Sequence, residues 1–171
     1  MKYNKKWAEK GHTLNSGLIS PDEKYFYINI PKNNSSFIKN ELSKLDWKFS
    51  SLDDHPSAIP IVILRDPLNR WISGIAEYLM MYHINVLDHH GYYTEELGFQ
   101  KLFGDPLALN LLFTTVTFDD HTEKQTLFLQ GIQNLNNVIW FKSDSDFSST
   151  FNKFLNDNGY ETNIINKTRR K

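Results

Sequence analysis

KYFYINIPKNNSSFIKNE, residues 24–41, is the stretch on which the reading of this chain turns. The apolar and aromatic run Tyr25 to Ile30 is too short to cross a bilayer and has the β-branched and aromatic content of a buried strand. Pro31-Lys32-Asn33-Asn34-Ser35-Ser36 follows, and a helix is predicted from near Phe37. Ser35 or Ser36 is read as its cap, which leaves backbone N–H groups facing outward where an anion can sit. Lys32 adds a mobile positive charge at the same place. Strand, polar turn with one lysine, and helix is an arrangement that holds a phosphate. The two glycines and the terminal Lys-Ser/Thr of a Walker A loop are absent, so the segment alone equally describes a strand end and a polar turn entering a capped helix.

Working outward, a second apolar run, Ile61 to Leu64, is continuous rather than alternating, as in a strand covered on both faces. It stops at Arg65-Asp66-Pro67-Leu68-Asn69-Arg70. Asp66 as N-cap and Pro67 in the first helical position predict a helix to about Met81, with Trp71, Ile75, Tyr78 and Leu79 on its apolar side. Arg65 at the strand end and Ser73 two turns into the helix are expected to face the crevice above the strand ends, where open α/β sheets bind ligands. The helix after the first turn should end before Asp46, and the turn-rich residues 49–60 read as loop. Residues 82–104 read as an irregular His- and Tyr-rich insertion with a short helix over 94–103. Further helices are predicted from Asp105-Pro106 to Phe113, from Thr122 or Glu123 to Ile132, and from Asp144 to Asn156, the last capped by Asp144 or Ser145 and stopped by Asn158-Gly159. A third strand is predicted at Val138 to Phe141. Residues 1–20 read as an irregular arm. The expected architecture is α/β: a single P-loop-like domain over 21–171 with a short, mainly parallel sheet flanked by helices.

With 171 residues and 40% hydrophobic content, the chain is long enough to close one core. A net charge of −1 argues against a nucleic-acid partner bound by bulk phosphate neutralisation. Of the four arginines, Arg65 and Arg70 lie close together, and arginine suits bidentate oxyanion contacts. The absence of cysteine excludes disulfides and thiolate metal sites. No leader-like apolar region or membrane-spanning run is found, so a cytoplasmic protein with no membrane partner is expected.

Taken together, residues 24–37 and 65–73 resemble the sulfotransferase family, which moves a sulfuryl group from 3′-phosphoadenosine 5′-phosphosulfate (PAPS) to an alcohol or amine. Pro31 to Phe37 resembles its strand-following 5′-phosphosulfate loop, with Asn34 where that pattern carries glycine; asparagine tolerates left-handed geometry better than most residues. Arg65-Asp66-Pro67-Leu68-Asn69-Arg70-Trp71-Ile72-Ser73 matches the 3′-phosphate signature without a gap. Its form is similar to that of the carbohydrate branch, as are the segment from Asp120-His121 to Gln125 and Asn166-Lys167-Thr168. The chain is shorter than most members and suggests a microbial or viral type.

The resemblance implies an enzyme with PAPS as cofactor, adenosine 3′,5′-bisphosphate as product, no metal, and a small-molecule or glycan hydroxyl acceptor. Lys32 would stabilise the leaving phosphate, where charge builds in the transition state. Asn33, Asn34, Ser35 and Ser36 would hold the 5′-phosphate, Arg65 and Ser73 the 3′-phosphate, with Lys167 and Thr168 as further cofactor contacts. Arg70 either joins them or pairs with Glu77 or another acid. A histidine is the natural base for the acceptor proton. The first expectation is His55, between the two signatures, and the second His121; His83, His89 and His90 are candidates for lining an acceptor pocket. Two other readings stay open: a small P-loop-related kinase, and a non-enzymatic nucleotide- or phosphate-binding module.

Overall fold

The described residues of the computed structural model are 14–77 and 121–161. The helices expected over 94–103 and 105–113 lie outside them, as do His83, His89, His90, Lys167 and Thr168. The chain divides into two compact units, one of Met1–Gly11 with Leu68–Glu123, the other of His12–Pro67 with Lys124–Lys171.

The second unit carries a five-stranded sheet in the order β3-β1-β2-β4-β5. Its strands are β1 (Ser16–Ile19), β2 (Tyr25–Ile28), β3 (Lys48–Ser51), β4 (Ile59–Leu64) and β5 (Ile139–Lys142). β2 pairs with β4 and β4 with β5 in parallel, whereas β1 runs antiparallel to both β2 and β3. The fold is therefore α/β with a mixed sheet, which corrects the expectation of a mainly parallel one. The reason is local: the connection from Ile19 to Tyr25 is a short turn, and a short turn can join only antiparallel neighbours. Two stretches read as irregular, the end of the arm at 16–19 and the front of the loop at 49–60, are the strands β1 and β3. Their short, polar, Gly- or Ser-containing sequences (SGLI and KFSS) lack the apolar run that marks β2 and β4.

Helix α1 spans Ser35–Ser43 and α3 spans Phe147–Asp157. Between them in sequence, residues 67–77 are helical and form α2, which opens on Pro67 as expected. The predicted caps are displaced by one or more residues. Asn34, not Ser35 or Ser36, precedes α1, and Asp146, not Asp144 or Ser145, precedes α3, each without a side-chain cap bond. The helix expected through Ile132 is a 3₁₀ segment, Gln125–Leu129. Gly159 ends α3 in left-handed geometry (φ 83°), a conformation that suits glycine.

β2 alternates between two cores. Tyr25 and Tyr27, with Ile61 and Ile63 of β4, pack against Ile38 and Leu42 of α1 and Phe147, Phe151 and Leu155 of α3. Phe26, Ile28 and Val62 turn to the other face and pack with Leu52, Ala58, Phe128 and Ile132. Burial on both faces is why β2 and β4 read as continuous apolar runs. Among the described residues no helix is long and apolar enough to cross a membrane.

Candidate functional site

Because β2, β4 and β5 are parallel neighbours, the segments that follow them leave the sheet at the same edge. These are the turn 31–34 before α1, Arg65-Asp66, and Ser143. Lys32 and Asn34 both have positive φ, 66° and 60°, so the turn is wound through two left-handed residues. Asparagine at 34 is suited to that geometry; lysine at 32 is not, and holds it against a cost of about 1–2 kcal/mol.

Neighbouring side chains fix this turn. Asn33 is fully buried. Its Nδ2 donates to the carbonyl of Ile63 at 2.7 Å and to Gln125 Oε1 at 2.6 Å, which uses both amide hydrogens. Its Oδ1 is buried with no hydrogen-bond partner among the described residues. Asn34 Nδ2 donates to Ser143 Oγ at 2.8 Å, tying the turn to the end of β5. Arg65 Nη1 donates to the carbonyl of Lys32 at 3.0 Å. Gln125 completes the set, since its Oε1 accepts from the Arg65 N–H at 3.0 Å and its Nε2 donates to the Arg65 carbonyl at 2.8 Å.

The sequence-predicted residues of the sheet-bearing unit therefore separate by role. Lys32, Asn33, Asn34, Ser35 and Arg65 are brought to one edge, with Ser36 exposed at the start of α1. Asn33, expected among the cofactor contacts, has its amide donors turned into the protein. Arg65, expected as a phosphate clamp, also braces the lysine turn. The residues that sequence reasoning missed are Gln125 and Ser143. Gln125 ends the segment from Asp120 that resembles the carbohydrate branch, which was its one signal; Ser143 had none.

His55 is held elsewhere. Its Nε2 lies 2.9 Å from Ser50 Oγ, its Nδ1 3.9 Å from Glu23 Oε2, and its ring packs 6.3 Å from that of Phe26. Glu23 precedes β2 and Lys32 follows it, and the four residues of that strand, at ~3.3 Å each, already separate its ends by roughly 13 Å. The structure does not bring His55 to Lys32, because the connection from β3 to β4 must carry the chain back to the start of β4.

In the other unit, α2 carries Arg70, Ser73 and Gly74. Arg70 is buried and donates from Nη1 to the carbonyl of Glu123. A side chain at Gly74 would collide with the carbonyl of His121, so glycine is what lets the segment 121–123 lie against this helix. Ser73 and His121 are both half-buried.

As a test of fit for an anionic nucleotide, the turn offers a lysine, an arginine at the next strand end, two serines, and helical N–H groups that Asn34 leaves uncapped. That donor set suits phosphate or sulfate oxygens. Among the described residues no three His, Cys, Asp or Glu side chains gather as they would around a metal ion. No family model, no curated protein and no solved structure matches the chain.

Proposed function

We propose that the protein transfers a sulfuryl group from PAPS to a hydroxyl acceptor of carbohydrate type. The observation that supports the reading is the 3.0 Å bond from Arg65 Nη1 to the Lys32 carbonyl, which joins the two segments that carry the resemblance at the ends of adjacent parallel strands. In this reading the acceptor oxygen attacks sulfur, the bond from sulfur to the bridging phosphate oxygen breaks, and adenosine 3′,5′-bisphosphate leaves. Lys32 neutralises the charge that grows on that leaving oxygen. The helix start at Ser35 and Ser36 binds the 5′-phosphate, and Arg65 at the end of β4 binds the 3′-phosphate.

The test is release of adenosine 3′,5′-bisphosphate from PAPS against a panel of glycans and hydroxylated small molecules, with calorimetry of the bisphosphate and of adenosine 5′-monophosphate. Acceptor-dependent release and tighter binding of the bisphosphate are expected. Equal affinities overturn the reading. Tight binding without transfer to any acceptor would leave a nucleotide-binding module.

A further inference from the structure

The carboxamide of Gln125 sits on the backbone of Arg65 as a partner strand residue would. It accepts from the N–H and donates to the C=O of the same residue, at 3.0 and 2.8 Å. This exchange of two hydrogen bonds is the pattern of an antiparallel bonded pair, made here by a side chain. It carries the ladder of β4 one residue beyond Leu64, to the residue whose guanidinium reaches the lysine turn. The same Oε1 accepts from Asn33 Nδ2 at 2.6 Å. One side chain thus holds the end of β4 and the interior of the turn after β2.

Gln125 is itself well anchored. It opens the 3₁₀ segment Gln125–Leu129, and Phe128 in that segment is buried in the core formed with Ile28, Ile30 and Val62. The side chain therefore starts from a rigid base, which is what accurate positioning requires.

We propose that Gln125 is the positioning residue of this site. It sets the spacing between the Lys32 turn and Arg65, so that two phosphate groups of one nucleotide are engaged together. The proposal rests on the sulfotransferase reading for the identity of the ligand, but not for the mechanical coupling. Gln125 touches no reacting atom. It acts through Arg65 and Asn33, and its removal should loosen both at once.

The experiment has two arms on the full chain. In the first, amide hydrogen exchange compares the wild type with Gln125→Ala and Gln125→Glu. The glutamate keeps the acceptor oxygen for the Arg65 N–H and Asn33, and when ionised replaces the donor to the Arg65 carbonyl by a second acceptor. Exchange at Arg65 and across residues 33–36 is expected to accelerate together in Q125A, and at Arg65 more than in the turn in Q125E. Acceleration at Arg65 alone in Q125A overturns the proposal, as does a global change shared by α3. Should Q125A fail to fold, Q125E carries this arm, and unchanged exchange at Arg65 in Q125E overturns it.

The second arm is a double-mutant cycle on the affinity for adenosine 3′,5′-bisphosphate. Q125A should weaken binding about ten-fold with Arg65 present and by less than two-fold in an R65A background, a coupling in the usual range for residues in one network. A purely structural role predicts equal losses in both backgrounds, and that result overturns the proposal. If the wild type does not bind the bisphosphate while the turn and Arg65 still loosen together in Q125A, the sulfotransferase reading fails and the positioning role stands.

Discussion

Arg65 donates from Nη1 to the main-chain carbonyl of Lys32 at 3.0 Å, so the cation at the end of β4 braces the turn that follows β2. A lysine at 65 would bring charge without the planar fork that can hold a carbonyl and a phosphate together. R65A is expected to lose about ten-fold or more in affinity for adenosine 3′,5′-bisphosphate, with little change for adenosine 5′-monophosphate, and about 1 kcal/mol in stability from the lost brace. R65K should recover only part of the binding. Calorimetry on both nucleotides checks this, and an R65K variant that binds like the wild type would remove the fork from the argument.

Lys32 separates stability from activity. Its φ of 66° is unfavourable for a side-chain-bearing residue but open to glycine. K32G is therefore expected to fold with unchanged stability or a gain of up to about 1 kcal/mol. On the proposed sulfuryl transfer, the same substitution should lower turnover far more than it weakens binding of the sulfate-free product, because the ammonium would act on charge that develops in the transition state. Denaturant unfolding and single-turnover kinetics give the two readouts. Normal turnover in K32G would make the lysine a bystander.

Asn33 is the buried keystone of the turn, with two donors placed on Ile63 and Gln125. N33A leaves the Ile63 carbonyl and Gln125 each short of a donor, and should cost about 1–3 kcal/mol. N33D is the harsher change, since it sets a carboxylate against two acceptor oxygens at a fully buried position. A loss on the order of 3–5 kcal/mol, or failure to fold, is expected. Chemical denaturation of both variants decides; an N33D protein as stable as N33A would contradict the assigned amide orientation.

Asp22 and Tyr160 link the β1–β2 turn to the end of α3. Burial works against ionisation of Asp22, but donors from Ser20 Oγ at 2.6 Å, Tyr160 Oη at 2.5 Å and the Lys24 N–H at 3.3 Å outweigh it and hold the carboxyl below its usual range. The Tyr160 hydroxyl is pushed up to about 12, first by burial and then by its bond to Asp22. The lowered Asp22 value gives stability that is present above the unfolded carboxyl range and lost as pH falls through the folded value. The raised Tyr160 value gives stability that is complete below the unfolded phenol range and lost as pH rises through about 12. In Y160F the Asp22 carboxyl should titrate at higher pH, followed by carbon-detected NMR, and the part of the alkaline tyrosine absorbance change near pH 12 should shrink. A Tyr160 that titrates with ordinary exposed tyrosines would contradict the contact.

By itself the sequence determined what local chemistry controls. Continuous apolar runs marked β2 and β4 as strands covered on both faces, Pro67 marked the start of α2, Asn158-Gly159 marked the end of α3, and the turn around Lys32 was visible between its strand and helix. Hydrophobic pattern and turn residues act over a few positions, so they can be read along the chain. Only the tertiary structure decided that SGLI and KFSS are strands, because their pairing energy comes from β2 and from each other rather than from their own composition. It also decided that Asn33 points inward, that His55 stays with Ser50 and Glu23, and that Gln125 and Ser143 belong to the site. The bond from Asn33 to Gln125 joins residues 92 positions apart, and that from Asn34 to Ser143 residues 109 apart. No local propensity encodes such pairs; they exist because parallel strands bring their carboxyl ends to one edge of the sheet and the buried polar groups there must find partners.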